Sequence, residues 1–152
     1  MRIYMAMLLL VGSLAPACEV SPEPLEDHGL EWTTYESETG FFIDHPSVVE
    51  AIPEGAGVAF AYKGTPVRVI FTDSATAADH GLWVRSDPVE EIELAGRPGQ
   101  KYVYNHWDGP VYVRTVAFVV PYRDQWLAVE FRTPDELTSV QQRMLASFGF
   151  AP

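Results

Sequence analysis

One cysteine, Cys18, is all that the 152 residues hold. No internal disulfide can form, so any folded part must be held by its apolar core. Positive charge is scarce as well: 10 Lys and Arg stand against 21 Asp and Glu, a formal charge of −11. That balance argues against nucleic acid as a partner and against adsorption onto anionic lipid headgroups. Between Glu19 and Glu54 the chain carries ten acids, and from Glu19 on no Lys or Arg appears until Lys63. These acids lack the Asp-x-Asp-x-Asp-Gly spacing of a calcium loop, so they read as a solvated tether and rim. Catalytic motifs are missing too. There is no Gly-x-Ser-x-Gly elbow, His-Glu-x-x-His pair, P-loop or dinucleotide glycine pattern, and the sequence implies no cofactor and no metal. Long apolar runs are also absent. The one candidate, Ile3 to Leu14, is short for a bilayer, and Gly12 and Pro16 make it a poor permanent span.

What is present begins with a targeting pattern. Arg2 supplies a positive n-region, Ile3 to Leu14 an apolar h-region, and Ala15-Pro16-Ala17 the small residues before a cleavage point. A plain secretory signal needs no cysteine there. The stretch LAPAC resembles a bacterial lipoprotein signal, in which the cysteine after small residues is acylated and becomes the mature N-terminus. Leu14 sits one place upstream of the usual position, with Ala15 in its place. The resemblance implies a signal peptide over residues 1–17, lipid attachment at Cys18, and a place in the bacterial cell envelope. There the chain would be held to the membrane by its N-terminal lipid, on the periplasmic or outer-membrane face. Cleavage removes Arg2 and no acid, which leaves the mature chain more acidic still.

Residues 18–29, ending EVSPEPLEDHG, read as a linker. Two prolines, four acids and a glycine offer little to bury, so an extended, mobile tether is expected. The rest, 30–152, is enough for one domain with a single core.

From Glu31 the pattern is of short strands. Trp32 to Ser37 and Phe41 to Asp44 flank the turn signal Glu38-Thr39-Gly40. Val58, Phe60 and Tyr62 alternate with Ala59 and Ala61. Lys63-Gly64-Thr65-Pro66 turns the chain into Val67 to Thr72. Ile92 and Leu94 alternate with Glu91 and Glu93, and Gly96-Arg97-Pro98-Gly99 turns into Lys101 to Asn105. Val111 to Val120, rich in β-branched residues on both faces, reads as a central strand covered on both sides. Trp126 to Arg132 returns with Leu127, Val129 and Phe131 inward and Glu130 and Arg132 outward. The C-terminus reads as a helix. Thr133-Pro134-Asp135-Glu136 has the form of a capping box with Thr133 as N-cap. Leu137, Val140, Met144 and Phe148 make one apolar stripe, and Gly149 closes it. The fold class is therefore α+β: an antiparallel meander of about eight strands with a C-terminal amphipathic helix packed on it.

Two stretches look familiar together. YESETGFFIDHP (35–46) is similar to the opening of PsbP-like domains, with an aromatic strand, a Gly-Phe turn and a strand ending before Pro. DELTSVQQRMLASFGF resembles their closing helix, and the hairpin AGRPGQKYVYN lies in the usual order between them. The resemblance spans 31–150 and implies a central antiparallel sheet with helices on it. Family members include extrinsic photosystem II subunits, small-GTPase-binding proteins and many bacterial lipoproteins. Where many relatives carry a long helix, this chain has only Ser74 to His80, a turn or two at best. No family metal or partner site carries over.

Four histidines remain. His28 lies in the linker, His45 precedes Pro46, His80 follows Asp79, and His106 stands in the hairpin Asn105-His106-Trp107-Asp108-Gly109. Adjacent His and Asp on a strand point to opposite faces, so Asp79-His80 makes no acid–base couple. No catalytic residue is assigned, and the protein reads as non-enzymatic. Two classes of function follow. The first is a tethered accessory or protein-interaction module with an envelope protein as partner, Trp107 being the candidate anchor. The alternative is a lipocalin-like small barrel around an apolar ligand, since Gly29-Leu30-Glu31-Trp32 nearly matches that family's Gly-x-Trp. An open sheet would favour the module, and a closed barrel with a cavity the carrier. Nothing in the sequence points to an oligomer.

Overall fold

Alternation of apolar and polar side chains sets the strands of the domain, seen in a computed structural model that describes residues 25–61, 67–72 and 86–152. The described residues form ten strands and one helix. In order they are β1 (Trp32–Glu36), β2 (Phe41–Pro46), β3 (Glu50–Glu54), β4 (Gly57–Ala61), β5 (Val67–Thr72), β6 (Glu90–Leu94), β7 (Arg97–Asp108), β8 (Val111–Tyr122) and β9 (Gln125–Arg132). Helix α1 (Ser139–Ser147) and β10 (Gly149–Phe150) follow. The strands pair antiparallel in two sheets, β1-β2-β10 and β3-β4-β5-β9-β8-β7-β6. The expected antiparallel α+β architecture is thus what the chain adopts, with two more strands than the pattern suggested.

One face of the large sheet buries Val58, Phe60, Val69, Val116, Phe118, Val120, Leu127, Val129 and Phe131. Their period of two follows from strand geometry. Over them lie Phe41 and Ile43 of β2 and Val140, Met144 and Phe148 of the C-terminal segment. The layers are in a definite register. Phe41 packs against Phe71 at 5.8 Å between ring centroids, and His45 against Phe60 at 4.9 Å. The Tyr122 hydroxyl donates to the carbonyl of Thr39 at 2.9 Å, and its ring stacks on Phe150 at 4.7 Å.

The second face carries small and polar residues instead. Ala59, Tyr104, Thr115, Ala117, Val119, Ala128 and Glu130 are nonetheless buried. The central strand β8 is therefore covered on both sides from Thr115 to Val120, as its composition implied.

Several local readings are corrected. The helix starts later than expected. Thr133 is not its N-cap: its amide continues the sheet by donating to the carbonyl of Arg114, and its hydroxyl donates to the carbonyl of Glu136 at 2.6 Å. The cap is Thr138, whose side chain accepts from the Gln141 amide while the Gln141 side chain accepts from the Thr138 amide. Leu137 thus precedes the helix, and Phe148 is its C-cap in an extended conformation. Gly149 does not cap it but enters β10 beside Phe42. The β6–β7 turn is the pair Ala95-Gly96, both left-handed at φ 51° and 76°, so Arg97 and Pro98 already belong to β7. Strand β3 was not foreseen, because Pro53 sits inside it; an edge strand tolerates the missing donor. Glu130 points away from the core as expected but is buried, not exposed.

The seven-stranded sheet runs in a row from β3 to β6, and among the described residues no ladder joins those two edges. The lipocalin-like barrel is not what these strands build. The end of the 18–29 stretch is also docked. Leu25 packs against the core, and Asp27 accepts from Trp32 Nε1 and Arg143 Nη1, each at 3.1 Å. The expected turn at 63–66, the turn or two at 74–80 and His80 lie outside the described residues, as do the 1–17 segment and Cys18.

Candidate functional site

The β7–β8 hairpin carries Trp107, the most exposed large hydrophobic among the described residues. Strand β8 pairs with β9 only from Thr115 to Tyr122, so Val111–Val113 pair with β7 alone. Beyond the sheet the hairpin therefore continues as a two-stranded ribbon, turned at Gly109 and Pro110. Trp107 and Tyr112 face each other directly across it, their rings 5.0 Å apart. Trp107 is 69% exposed, Tyr112 59% and Val111 56%. Trp107 thus stands out from the sheet and is not folded back onto it. On the ribbon's other face Asp108 pairs with Arg132 at 2.5 Å. Arg114 turns away from the tip, its guanidinium bonded to the Asp135 carbonyl.

Behind the tip lies a buried polar group that the sequence did not disclose. Tyr104 donates to Glu130 Oε1 at 2.8 Å. Thr115, the cross-strand partner of Tyr104, is buried beside it. Burial raises the Glu130 carboxyl above its ordinary range, against the pull of the Tyr104 bond and of Arg68 and Arg132. Burial also raises the Tyr104 phenol, with the Glu130 charge adding to it. His106 lies over Tyr104 with its Nδ1 unbonded, and burial together with the Arg132 charge lowers its pKa.

A cleft of about 250 Å³ lies further along the same sheet, lined by Glu54, Gly55, Ala56, Gly57, Arg68, Ile70 and Phe71. There Arg68 is already paired with Glu54 at 3.0 Å. The described histidines stand apart. His28 is exposed, and His45 is buried against Phe60 with Nδ1 beside its own Pro46 carbonyl at 3.0 Å. Among the described residues no three His, Cys, Asp or Glu side chains gather to hold a metal ion. No helix among them is long and apolar enough to cross a membrane.

No protein-family model matches the chain, and no curated protein matches it in sequence. Solved structures do. The chain is similar to cyanobacterial PsbP (CyanoP) from Synechocystis sp. PCC 6803, with TM-score 0.53 and 15% identity over 85% of this chain and 98% of that one. A crystal structure from Bacteroides thetaiotaomicron VPI-5482 matches with TM-score 0.55 and 11% identity over 78% of this chain. This chain spans about half of that protein, 48% of its length. LpqN, involved in cell envelope biogenesis of Mycobacterium tuberculosis, aligns with TM-score 0.42 and 12% identity over 83% of this chain and 94% of its own. The likeness to CyanoP shows that the fold is PsbP-like.

Proposed function

We propose that the protein is a lipid-anchored, non-enzymatic accessory module of the bacterial cell envelope, with an envelope protein as its partner. One observation carries this reading: the chain's only cysteine, Cys18, stands directly behind an apolar run that ends in small residues. The folded part agrees with it. It is an acidic domain with a PsbP-like fold. Acylation supplies the anchor, at about 0.8 kcal/mol for each methylene buried in the bilayer, and the acidic surface keeps the domain off anionic headgroups.

The test is metabolic labelling with a fatty-acid precursor and fractionation of Cys18→Ser beside the wild type. The wild type should carry the label and partition with detergent. The variant should be unlabelled and either soluble or retained as a larger precursor. An unlabelled, freely soluble wild type would refute the anchor.

A further inference from the structure

We infer that the β7–β8 hairpin tip rests on the surface of the tethering membrane, with Trp107, Val111 and Tyr112 in the interfacial layer of a zwitterionic lipid. The inference rests on the lipid-anchor reading above and deepens it.

The fold puts the tip and the point where the chain enters at Leu25 at one end. Strand β8 runs away from the tip to Tyr122, and β9 returns from Gln125 to Arg132. Gln141 Nε2 donates to the Arg132 carbonyl at 2.8 Å, so α1 starts at the tip's end. Strand β2 begins at the far end, where Tyr122 reaches Thr39, and finishes at Pro46 opposite Trp32. Trp32 in turn meets both Asp27 and the Arg143 guanidinium of α1, the latter 4.1 Å from its ring centroid. The chain therefore enters the domain through Leu25 and Asp27 on the hairpin's side. Seven residue steps separate Cys18 from Leu25, a reach of at most about 25 Å.

The chemistry of the tip selects the occupant. A Trp and a Tyr side by side on one face of the ribbon, with Pro110 at its turn and Val111 on the other face, make the tip an apolar wedge with polar ring edges, the pairing that settles at a bilayer interface. Asp108 is neutralised by Arg132, so the wedge presents no free carboxylate. The chain's formal −11 excludes attraction to anionic lipid and leaves a zwitterionic surface as the match.

The experiment is Trp fluorescence of the full mature chain on phosphatidylcholine vesicles carrying brominated acyl chains, with the mass of the Cys18 adduct recorded for the same sample. Wild type should be quenched, and the quenched component should vanish in Trp107→Phe, an exposed substitution that leaves the fold intact. Equal quenching of the two proteins, or none in vesicle-bound wild type, overturns the inference. A chain without lipid on Cys18 refutes the anchor alone. If Trp107 of such a chain is still quenched at high vesicle concentration, the tip inference stands; if not, it falls. A photocrosslinker at position 107 that captures a protein in intact cells, and no lipid, overturns it as well.

Discussion

Tyr104 and Glu130 are joined across a strand that lies between them. Their 2.8 Å hydrogen bond runs from β7 to β9 over β8, where the intervening positions are Thr115 and Ala117. Larger residues there would block the diagonal. Both partners are only 8% exposed, so the bond is made where a free carboxylate or phenol would be costly. The small row on this face, with Ala59 and Ala128, is therefore part of what makes room for a buried acid.

The pair gives a pH signature with a fixed sign. Burial raises the Glu130 pKa above the ordinary 4.5, so the folded protein holds this proton more tightly than the unfolded chain does. The associated stability is fully present below about pH 4.5 and is lost as pH rises through the folded value. Glu130→Gln keeps an acceptor for Tyr104 and removes the titration. Urea midpoints measured from pH 4 to 8 should show the variant gaining on the wild type as pH rises. A constant difference would rule this out. Tyr104→Phe, which strands the carboxylate, should cost about 1–3 kcal/mol at neutral pH.

The helix start illustrates what the sequence could and could not disclose. Two capping boxes lie five residues apart, at Thr133 and at Thr138, and each has the right residue three positions on. Only the tertiary structure chooses between them, by drawing the Thr133 amide into the sheet with Arg114. Gln141 closes the cap at Thr138 and also donates to the Arg132 carbonyl. Thr138→Ala should thus cost about 1 kcal/mol, the usual loss of a cap. Gln141→Ala should cost about 2 kcal/mol, because it leaves two part-buried backbone groups without their partner. Equal losses in denaturant titrations would mean that the Arg132 contact contributes nothing.

The core strands were legible because one side chain in two is apolar, from Val67 to Phe71 and from Leu127 to Phe131. The apolar stripe at Val140 and Met144 was legible for the same reason, at helical spacing. The polar second face was not. Glu130 alternates with core residues just as a solvent-facing acid would, and nothing in that period tells a covered face from an open one. Its small neighbours, Ala117 and Ala128, were the available signal. Trp107 could be placed at a hairpin from Gly109 and Pro110, but its exposure depends on where β9 stops pairing with β8, a tertiary fact.

Phe148 tests the packing of the C-terminal segment. It is buried, stacked on Phe41 at 5.8 Å and edge-on to Phe150 at 5.3 Å. Phe148→Ala should cost roughly 3–5 kcal/mol, whereas Phe42→Ala, at a 36% exposed site on the same strand as Phe41, should cost well under half of that. Thermal melts that place the two variants together would show that the segment does not seal this core.

Among the described glycines, Gly57 leaves the least room for a side chain beside a neighbouring strand. A Cβ placed there would lie 2.0 Å from the Val69 carbonyl oxygen, and the obstacle is backbone in a paired strand that cannot swing aside. Gly55, two residues earlier in the same hairpin, differs in kind: its φ of +59° is left-handed, but a Cβ would meet nothing within 4 Å. Gly55→Ala should therefore cost only the backbone strain of that conformation, about 1–2 kcal/mol, and leave the β3–β4 hairpin in place. Gly57→Ala must push β4 from β5, an overpacking cost of about 3 kcal/mol. It should also speed amide exchange at Val58 and Val69, which face each other across the same ladder. Amide exchange of the two variants separates the cases. Faster exchange at Val58 and Val69 in Gly57→Ala but not in Gly55→Ala is the expected result, and unchanged exchange in Gly57→Ala would count against the close approach of these strands.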